Sequence, residues 1–167
     1  MSIPFRGETS CSTYFITAGT FNKIHVLQSD RMAGLFCEIL FHYRDAGKLS
    51  VHAFVVMPNH IHLLLTVPEG TTLERAMQYV KGGFSHEAGR RFEIPSPIWQ
   101  KSYVDRRVRD ASECLRFRSY IHQNPVRAGL VDRAEDYVYS SLNAQFRMDD
   151  LPQWLKPPKF EEAFLHR

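Results

Sequence analysis

The spacing of apolar residues changes several times along the chain, and each change indicates a different secondary structure. Residues 11–21 are β-branched and aromatic with partial alternation, which predicts a strand. Apolar residues then recur at helical spacing over residues 30–45. Two apolar runs within residues 51–67 flank Pro58 and Asn59, a pair that suits a tight turn. The first part of the chain therefore predicts a strand, a helix and a β-hairpin.

The next part of the chain extends this pattern. A second helix is predicted over about residues 72–89, and Gly82 with Gly83 is expected to weaken or bend it. Residues 98–108 follow a proline-rich break and are typical of another strand. The order strand, helix, strand, strand, helix, strand predicts an α+β ferredoxin-like sandwich with an antiparallel sheet.

One more helix is predicted after this sandwich. Asp110 followed by Glu113 fits a capping box, in which the two side chains satisfy backbone donors at a helix start. Pro125 lacks a backbone donor and disfavours a helical conformation in the residue before it. We therefore expect this helix to end near Gln123 or Asn124.

The hairpin carries two histidines on its second strand. Side chains alternate along a strand, so His60 and His62 share one face while Ile61 lies on the other. If Met57 pairs with His60, then His52 joins the Ile61 face, which we interpret as the core side. Two imidazoles at this spacing can bind one divalent ion as neutral ligands. The alternative is a pair of half-buried sheet residues whose rings are satisfied by hydrogen bonds.

Length and composition indicate one globular domain with a sizeable core. The chain has 167 residues, of which 44% are hydrophobic and 13% aromatic, which is ordinary for a globular protein. No apolar run approaches the length of a membrane span and no signal-peptide pattern opens the sequence, so we expect a cytoplasmic protein. Cys11, Cys37 and Cys114 lack a CxxC spacing and are interpreted as packing residues.

Basic residues are concentrated in one stretch, although the net charge is only +3. Trp99 and Tyr103 are interleaved with them. Cations that meet phosphates and rings that stack on bases are what single-stranded nucleic acid requires. The alternative is a solvated face with two core aromatics. The basic residues are Lys101, Arg106, Arg107, Arg109, Arg116 and Arg118.

Two polar side chains lie four residues apart near the end of the third predicted helix. Tyr120 and Asn124 therefore share one helix face. If that face covers the two histidines, a third metal ligand and a nucleophile would meet in one place. The alternative is that Tyr120 is an aromatic at the edge of the core and Asn124 caps the turn at Pro125. His122 is a secondary candidate for a residue of this site, because it is close to Tyr120 in sequence.

Several stretches together resemble a known family. They are MPNHIHLLL, WQKSYVDRRVRD, YIHQNPVRAGLV and YVYSS. In this order and spacing they are similar to the single-strand DNA transposases of the HUH class, and within that class to the REP-associated tyrosine transposases. The resemblance covers about residues 14–141. We therefore expect a catalytic domain over residues 1–141, with residues 142–167 as a C-terminal tail that packs on it or extends from it.

The resemblance implies a set of catalytic residues. His60 and His62, on a central strand, match the paired metal ligands, and Asn124 matches the third ligand. Tyr120, on the following helix, matches the catalytic tyrosine. The implied enzyme uses Mg²⁺ or Mn²⁺ and attacks a DNA phosphorus with the tyrosine, giving a 5′-phosphotyrosine bond and a free 3′ hydroxyl that can rejoin the strand.

The resemblance also implies a substrate. This would be a short imperfect hairpin in single-stranded DNA, of the repetitive extragenic palindromic kind, with no membrane partner. Such a protein would work as a monomer or a homodimer. The candidate phosphate contacts are Lys101, Arg106, Arg107 and Arg109, with Arg90 and Arg91 behind them.

Two hypotheses from other functional classes stay open at this point. The first is a catalytically silent module that binds single-stranded nucleic acid, in which the histidines are structural. The second is a small metal-dependent hydrolase that uses His60, His62 and a carboxylate. Asp105 and Glu113 are the nearby carboxylates that it could use.

Overall fold

The computed structural model describes residues 11–156 of the chain. Its strands form one antiparallel sheet in the order β2-β3-β1-β4. This connectivity and strand order are those of a ferredoxin-like sandwich, so the predicted fold class is confirmed. The elements are β1 Ser12–Gly19, α1 Asp30–Asp45, β2 Ser50–Met57, β3 His60–Val67, α2 Leu73–Phe92, β4 Val104–Arg107 and α3 Ala111–Arg127, with short 3-10 turns at Phe21–Lys23, Ala134–Asp136 and Gln153–Leu155.

Different helices cover the two faces of the sheet. Helices α1 and α2 lie on one face and enclose the main core, in which the rings of Phe36, Phe54 and Phe84 are fully buried. Burying one such side chain contributes roughly 1.5–3 kcal/mol. Helix α3 lies on the other face, over a smaller core that includes Phe15 and Ile121. Within residues 11–156, no helix has the length and apolar character needed to cross a membrane.

Helix α2 is continuous through its two glycines, contrary to the expected bend. It runs from Leu73 to Phe92, slightly beyond the predicted end. A Cβ on Gly83 would lie only 2.7 Å from the ring of Tyr43 on α1, whereas a Cβ on Gly82 would meet nothing within 4 Å. Gly83 therefore permits the close approach of the two helices.

Helix α3 continues past Pro125 to Arg127, so the predicted end near Gln123 or Asn124 is wrong. Pro125 is buried, and its packing offsets the backbone hydrogen bond that its ring removes. The helix ends before Gly129, which adopts φ +71°, a left-handed conformation that glycine tolerates without a steric cost.

The start of α3 follows the predicted capping pattern with one change. The Asp110 carboxylate accepts a hydrogen bond from the Glu113 N–H at 2.8 Å. The Glu113 carboxylate accepts from the backbone N–H of Arg109 at 2.9 Å, rather than from the N–H of Asp110. Both side chains still satisfy backbone donors at the helix start.

The strand predicted over residues 98–108 is shorter in the structure, where β4 spans Val104–Arg107. Trp99 forms an isolated bridge with Thr20 and is 7% exposed in the main core. Its indole N–H donates a hydrogen bond to the Lys81 carbonyl at 3.1 Å. Trp99 is therefore a core aromatic, which is one of the two alternatives that the sequence left open for it.

The hairpin has the predicted pairing of Met57 with His60, but a bulge changes the face of His52. Val51 pairs with Leu65 and takes the place in the main core that we had expected His52 to occupy. The His52 ring instead bonds Thr66 Oγ1 at 2.6 Å through Nε2. The extra residue of a bulge is left out of the pairing, so alternation alone could not place it.

The chain after α3 returns to the outer edge of β2. The backbone N–H of Val56 donates to the Tyr139 carbonyl, and the N–H of Ser141 donates to the Phe54 carbonyl. Further along, the Asp149 N–H donates to the Val51 carbonyl. These bonds satisfy backbone groups that an edge strand would otherwise expose.

The last described residues also pack on the sandwich. Leu155 is fully buried in the smaller core. The sequence alone suggests that Trp154 covers an edge of the core, but its side chain is 49% exposed. The sequence also predicts an extended segment at Pro157 and Pro158 followed by a short helix, and both lie outside the described residues.

Two of the three cysteines are packing residues, as predicted. Cys37 and Cys114 are buried, and burial raises the pKa of the Cys37 thiol to about 12, which makes it inert at neutral pH. Cys11 is exposed, so its prediction as a packing residue is wrong.

Candidate active site

Strand β3 places both predicted histidines on the sheet face that α3 covers. His62 pairs with Thr17 of β1 and Val55 of β2, and His60 pairs with Gly19 and Met57. The two imidazole centroids lie 4.8 Å apart. Because β3 is a central strand, neighbouring strands fix the positions of both rings from two sides.

Each imidazole is oriented by a hydrogen bond at its Nδ1 atom. His62 Nδ1 lies 2.8 Å from Thr17 Oγ1, and His60 Nδ1 lies 2.7 Å from Asn59 Oδ1. An amide oxygen only accepts, so Asn59 holds the His60 proton on Nδ1 and leaves Nε2 as a base. His62 Nε2 is buried and has no hydrogen-bond partner among the described residues. An unpartnered buried nitrogen of this kind fits a metal ligand.

Burial keeps both rings neutral. It lowers the pKa of His60, an effect that a hydrogen bond to the Asn124 side chain partly opposes. The pKa of His62 is lowered to about 3, mainly by burial and to a smaller extent by the proximity of His60. A metal ligand must have a free nitrogen lone pair, so both rings are in the required protonation state near pH 7.

Helix α3 brings Tyr120 and Asn124 onto the histidines. The Tyr120 ring centroid lies 5.3 Å from that of His62 and 5.8 Å from that of Phe15. Tyr120 is nevertheless 39% exposed, so a large substrate can reach it. Asn124 is buried, and its side chain is close enough to His60 to affect the pKa of that ring. It does not cap a helix end, because the helix continues beyond it.

The carboxylates suggested for a hydrolase do not join this group. Within residues 11–156, no set of three His, Cys, Asp or Glu side chains is placed to hold a metal ion. Asp105 pairs with Ile16, a residue of the main core, so it belongs to the opposite face of the sheet. Glu113 lies at the start of α3 in an ion pair with Arg109. These positions do not support the hydrolase hypothesis.

His122 lies away from the site. Its Nε2 atom is 2.9 Å from Ser141 Oγ, on the side of α3 that faces the β2 edge. Burial lowers its pKa to about 4, so the ring is neutral at pH 7. His122 therefore supports the segment that covers β2 and does not lie beside Tyr120 in the site.

The predicted phosphate contacts divide between the two faces of the sheet. Arg106 pairs with Phe15, on the face of the histidines, whereas Arg107 pairs with Tyr14, which packs on the main core. Lys101 is exposed in the loop before β4.

Three other candidate arginines already have acidic partners. Arg109 contacts Glu113 at 3.1 Å. Arg90 and Arg91 both bind Glu87 at 2.6 Å, and Arg91 also binds Glu38. They are therefore weaker candidates for phosphate contacts than Arg106.

The sequence interpretation missed three residues that surround the histidines. Thr17 and Asn59 orient the rings, as described above. Gln100 lies above Gly19, where a Cβ would come within 3.1 Å of its side-chain amide oxygen. Asn59 could have been found from its position next to His60, but Thr17 and Gln100 meet the site only through strand register and the loop before β4.

Comparisons with known proteins identify the family. A model of the family described as "Transposase IS200 like" matches residues 9–124. The REP-associated tyrosine transposase of Escherichia coli K12 is 27% identical over 132 residues, which cover 78% of this chain and 76% of that protein. A Haemophilus influenzae protein provisionally given the same name is 26% identical over 156 residues, which cover 83% of this chain and 88% of that protein.

A solved structure shows the same fold. It is that of a REP-associated tyrosine transposase bound to a REP hairpin, with a TM-score of 0.71 and 21% identity. The match covers 95% of this chain and 96% of the other. Since the family model also spans more than half of the sequence, the chain belongs to the IS200-like transposase family and is an enzyme of the DNA transposase class.

Proposed function

We propose that this protein is a metal-dependent endonuclease and strand transferase that cuts and rejoins single-stranded DNA at palindromic hairpins. The observation that carries the proposal is the contact between the exposed Tyr120 and His62, whose buried Nε2 atom has no partner among the described residues. The similar proteins named REP-associated tyrosine transposases, one of them solved with a REP hairpin, support the choice of substrate.

Tyr120 is the nucleophile in this proposal. Its phenolic oxygen forms a bond to phosphorus while the bond from phosphorus to the 3′ oxygen breaks. The products are a 5′-phosphotyrosine and a free 3′ hydroxyl. Because one phosphate ester replaces another, a 3′ hydroxyl can reverse the step without a nucleotide cofactor. Contacts with Phe15 and His62 hold the ring, while its exposure leaves room for DNA.

His60, His62 and Asn124 would hold Mg²⁺ or Mn²⁺. When bound, such an ion would polarise a phosphoryl oxygen and stabilise the leaving 3′ oxygen. The chain itself contributes ligand orientation, through Asn59 and Thr17, and neutral imidazoles, through burial. Both effects prepare the site before an ion arrives.

Among the predicted phosphate contacts, we propose Arg106 and Lys101 as the strongest candidates. Arg106 shares the sheet face of the site, and Lys101 is exposed in the loop before β4. Arg109 is 77% exposed despite its ion pair, so it could still meet DNA at the start of α3. Arg107 would contact only DNA that passes around β4 to the opposite face.

We also propose that residues 142–156 belong to the catalytic domain. Asp149 bonds the backbone of Val51, and Leu155 is buried against the core beneath α3. The end of this segment therefore supports the helix that carries Tyr120.

The test is covalent capture of labelled DNA. The protein, its Tyr120→Phe variant and a Tyr79→Phe control would each be incubated with Mn²⁺ and single-stranded hairpins from the genome that encodes the protein. Tyr79 is a suitable control because it lies on α2, on the other face of the sheet. We expect a protein–DNA adduct on a denaturing gel for the wild type and Tyr79→Phe, and no adduct for Tyr120→Phe.

Peptide mapping of the adduct should locate the DNA on Tyr120. If no protein forms an adduct across the hairpin panel while all three bind the hairpins equally, the enzyme proposal fails and the silent binding module becomes the better interpretation.

A further inference from the structure

Helix α3 carries a cation next to the proposed nucleophile. Because the helix continues through Pro125, Arg127 lies seven residues after Tyr120 on the same helix face, with Asn124 between them. The Arg127 guanidinium carbon lies 5.3 Å from the centroid of the Tyr120 ring. A helix that ended near Asn124, as the local sequence predicted, would not have fixed this contact.

The charge of Arg127 is available to a ligand. Its side chain is exposed, and no carboxylate forms an ion pair with it within residues 11–156. In contrast, Arg109 and Arg91 each bind a glutamate. Arg127 therefore combines an uncompensated guanidinium with a position beside the phenol.

A phosphodiester is the ligand that matches this position. It carries one negative charge, which repels an attacking phenolic oxygen, and its transition state spreads charge over the non-bridging oxygens. A guanidinium can donate two parallel hydrogen bonds to such oxygens, and it keeps its charge throughout the reaction. A cation stacked on the nucleophile's own ring is placed to meet the phosphate that the nucleophile attacks.

We propose that Arg127 is a catalytic residue that binds the non-bridging oxygens of the scissile phosphate. This inference rests on the proposed function. In the step itself, the bond from Tyr120 Oη to phosphorus forms and the bond from phosphorus to the 3′ oxygen breaks. The phenol proton passes to water and the 3′ oxygen takes a proton from water, while Arg127 remains protonated.

Charge-neutral DNA tests this role directly. A hairpin with a methylphosphonate at the scissile position lacks the negative charge that Arg127 would neutralise. On ordinary DNA, Arg127→Ala should lower the rate of adduct formation by about 10²–10³-fold, as removal of a transition-state donor commonly does. On methylphosphonate DNA, the wild type and Arg127→Ala should react at rates within a few-fold of each other.

Three further variants make the result specific. Arg127→Lys keeps the charge without the paired donors and should retain more activity than Arg127→Ala. Arg127→Gln tests the loss of charge with a side chain that still covers the ring. Arg75→Ala is the matched control, because Arg75 also stacks on a tyrosine ring, that of Tyr79, on the far face of the sheet. It should react like the wild type with both DNAs.

The outcomes separate this inference from the proposed function. An adduct that forms equally fast with the wild type and Arg127→Ala on ordinary DNA would overturn the role of Arg127 alone. The role would also fail if Arg127→Ala lost activity to the same extent on both DNAs, because that pattern indicates a structural effect. No adduct with the wild type would overturn both proposals together.

Discussion

At the scale of single residues, the orientation of each imidazole depends on the group that forms a hydrogen bond with its Nδ1 atom. His60 is held by Asn59 and His62 by Thr17, so each ring has one nitrogen assigned to the protein. The other nitrogen, Nε2, is then left to act as a ligand, and in His62 it is buried without a hydrogen-bond partner among the described residues. Partners of this kind are part of a metal site even though they do not touch the ion.

Asn59→Ala tests this support without removing a ligand. The loss of the Oδ1 acceptor frees the His60 ring, so we expect affinity for Mn²⁺ to fall by about 10–100-fold. Isothermal titration calorimetry on the protein without DNA would measure it. Asn143→Ala is the control, because the Asn143 side chain bonds a backbone N–H within the segment that covers β2. Equal affinities for both variants would argue against the role of Asn59.

At the scale of secondary structure, local signals predicted the elements better than their ends. Helix α1 spans Asp30–Asp45, the range that its apolar spacing predicted, and Ser29 caps it by accepting a hydrogen bond from the Met32 N–H. The hairpin turn at Pro58 and Asn59 was equally visible. The end of α3 was not, because burial of Pro125 outweighs the local penalty of a proline within a helix.

The two adjacent glycines of α2 test whether local helix propensity or tertiary packing determines the effect of a substitution. Gly83→Ala would bring a Cβ within 2.7 Å of the Tyr43 ring, and we expect it to cost about 1–3 kcal/mol of unfolding free energy. Gly82→Ala meets no atom within 4 Å and should instead stabilise the protein by about 0.5–1 kcal/mol, since alanine favours a helix. Urea unfolding of both variants would measure the difference.

Stabilisation by both glycine variants would contradict this prediction. It would mean that helix propensity, rather than the contact with Tyr43, determines the effect at Gly83. Tyr43→Ala combined with Gly83→Ala would then separate the two contributions, because removing the ring should abolish the steric cost.

At the scale of the whole molecule, part of the site is formed by strand pairings that cannot be read from the sequence pattern. The shared face of His60 and His62 followed from alternation alone, and the position of Tyr120 above them agreed with the helix spacing. Thr17 reaches His62 only because β1 and β3 pair in one register. Trp99 was ambiguous, because a ring that stacks on a base and a ring in a core have the same sequence signature.

Truncation of Leu155 tests how far the folded domain extends. Leu155→Ala should lower the free energy of unfolding by about 2–5 kcal/mol, because the side chain is fully buried against the core beneath α3. Its neighbour Trp154 is 49% exposed, and Trp154→Ala should cost about 1 kcal/mol or less. Chemical unfolding followed by circular dichroism would compare them.

Similar losses for the two variants, both small, would indicate that the burial of Leu155 does not stabilise the fold, contrary to the prediction. A large loss for Trp154→Ala would show that its half-exposed ring contributes more than its position predicts.

The separation in sequence between Thr17 and Asn124 has a consequence for how the protein is made. Strand β1 is synthesised before β3, and the helix with Tyr120 is synthesised after it, so His62 acquires partners from segments on both sides of it in the sequence. A shortened chain that stops before α3 would possess the imidazoles but not Tyr120, the proposed nucleophile. A fragment that begins after β1 would possess Tyr120 but not the Thr17 support. Under the proposed mechanism, a product that lacks α3 could not form the bond to DNA, and a product that lacks β1 would lose a partner that orients His62. The proposed activity therefore depends on folding that unites segments far apart in the sequence.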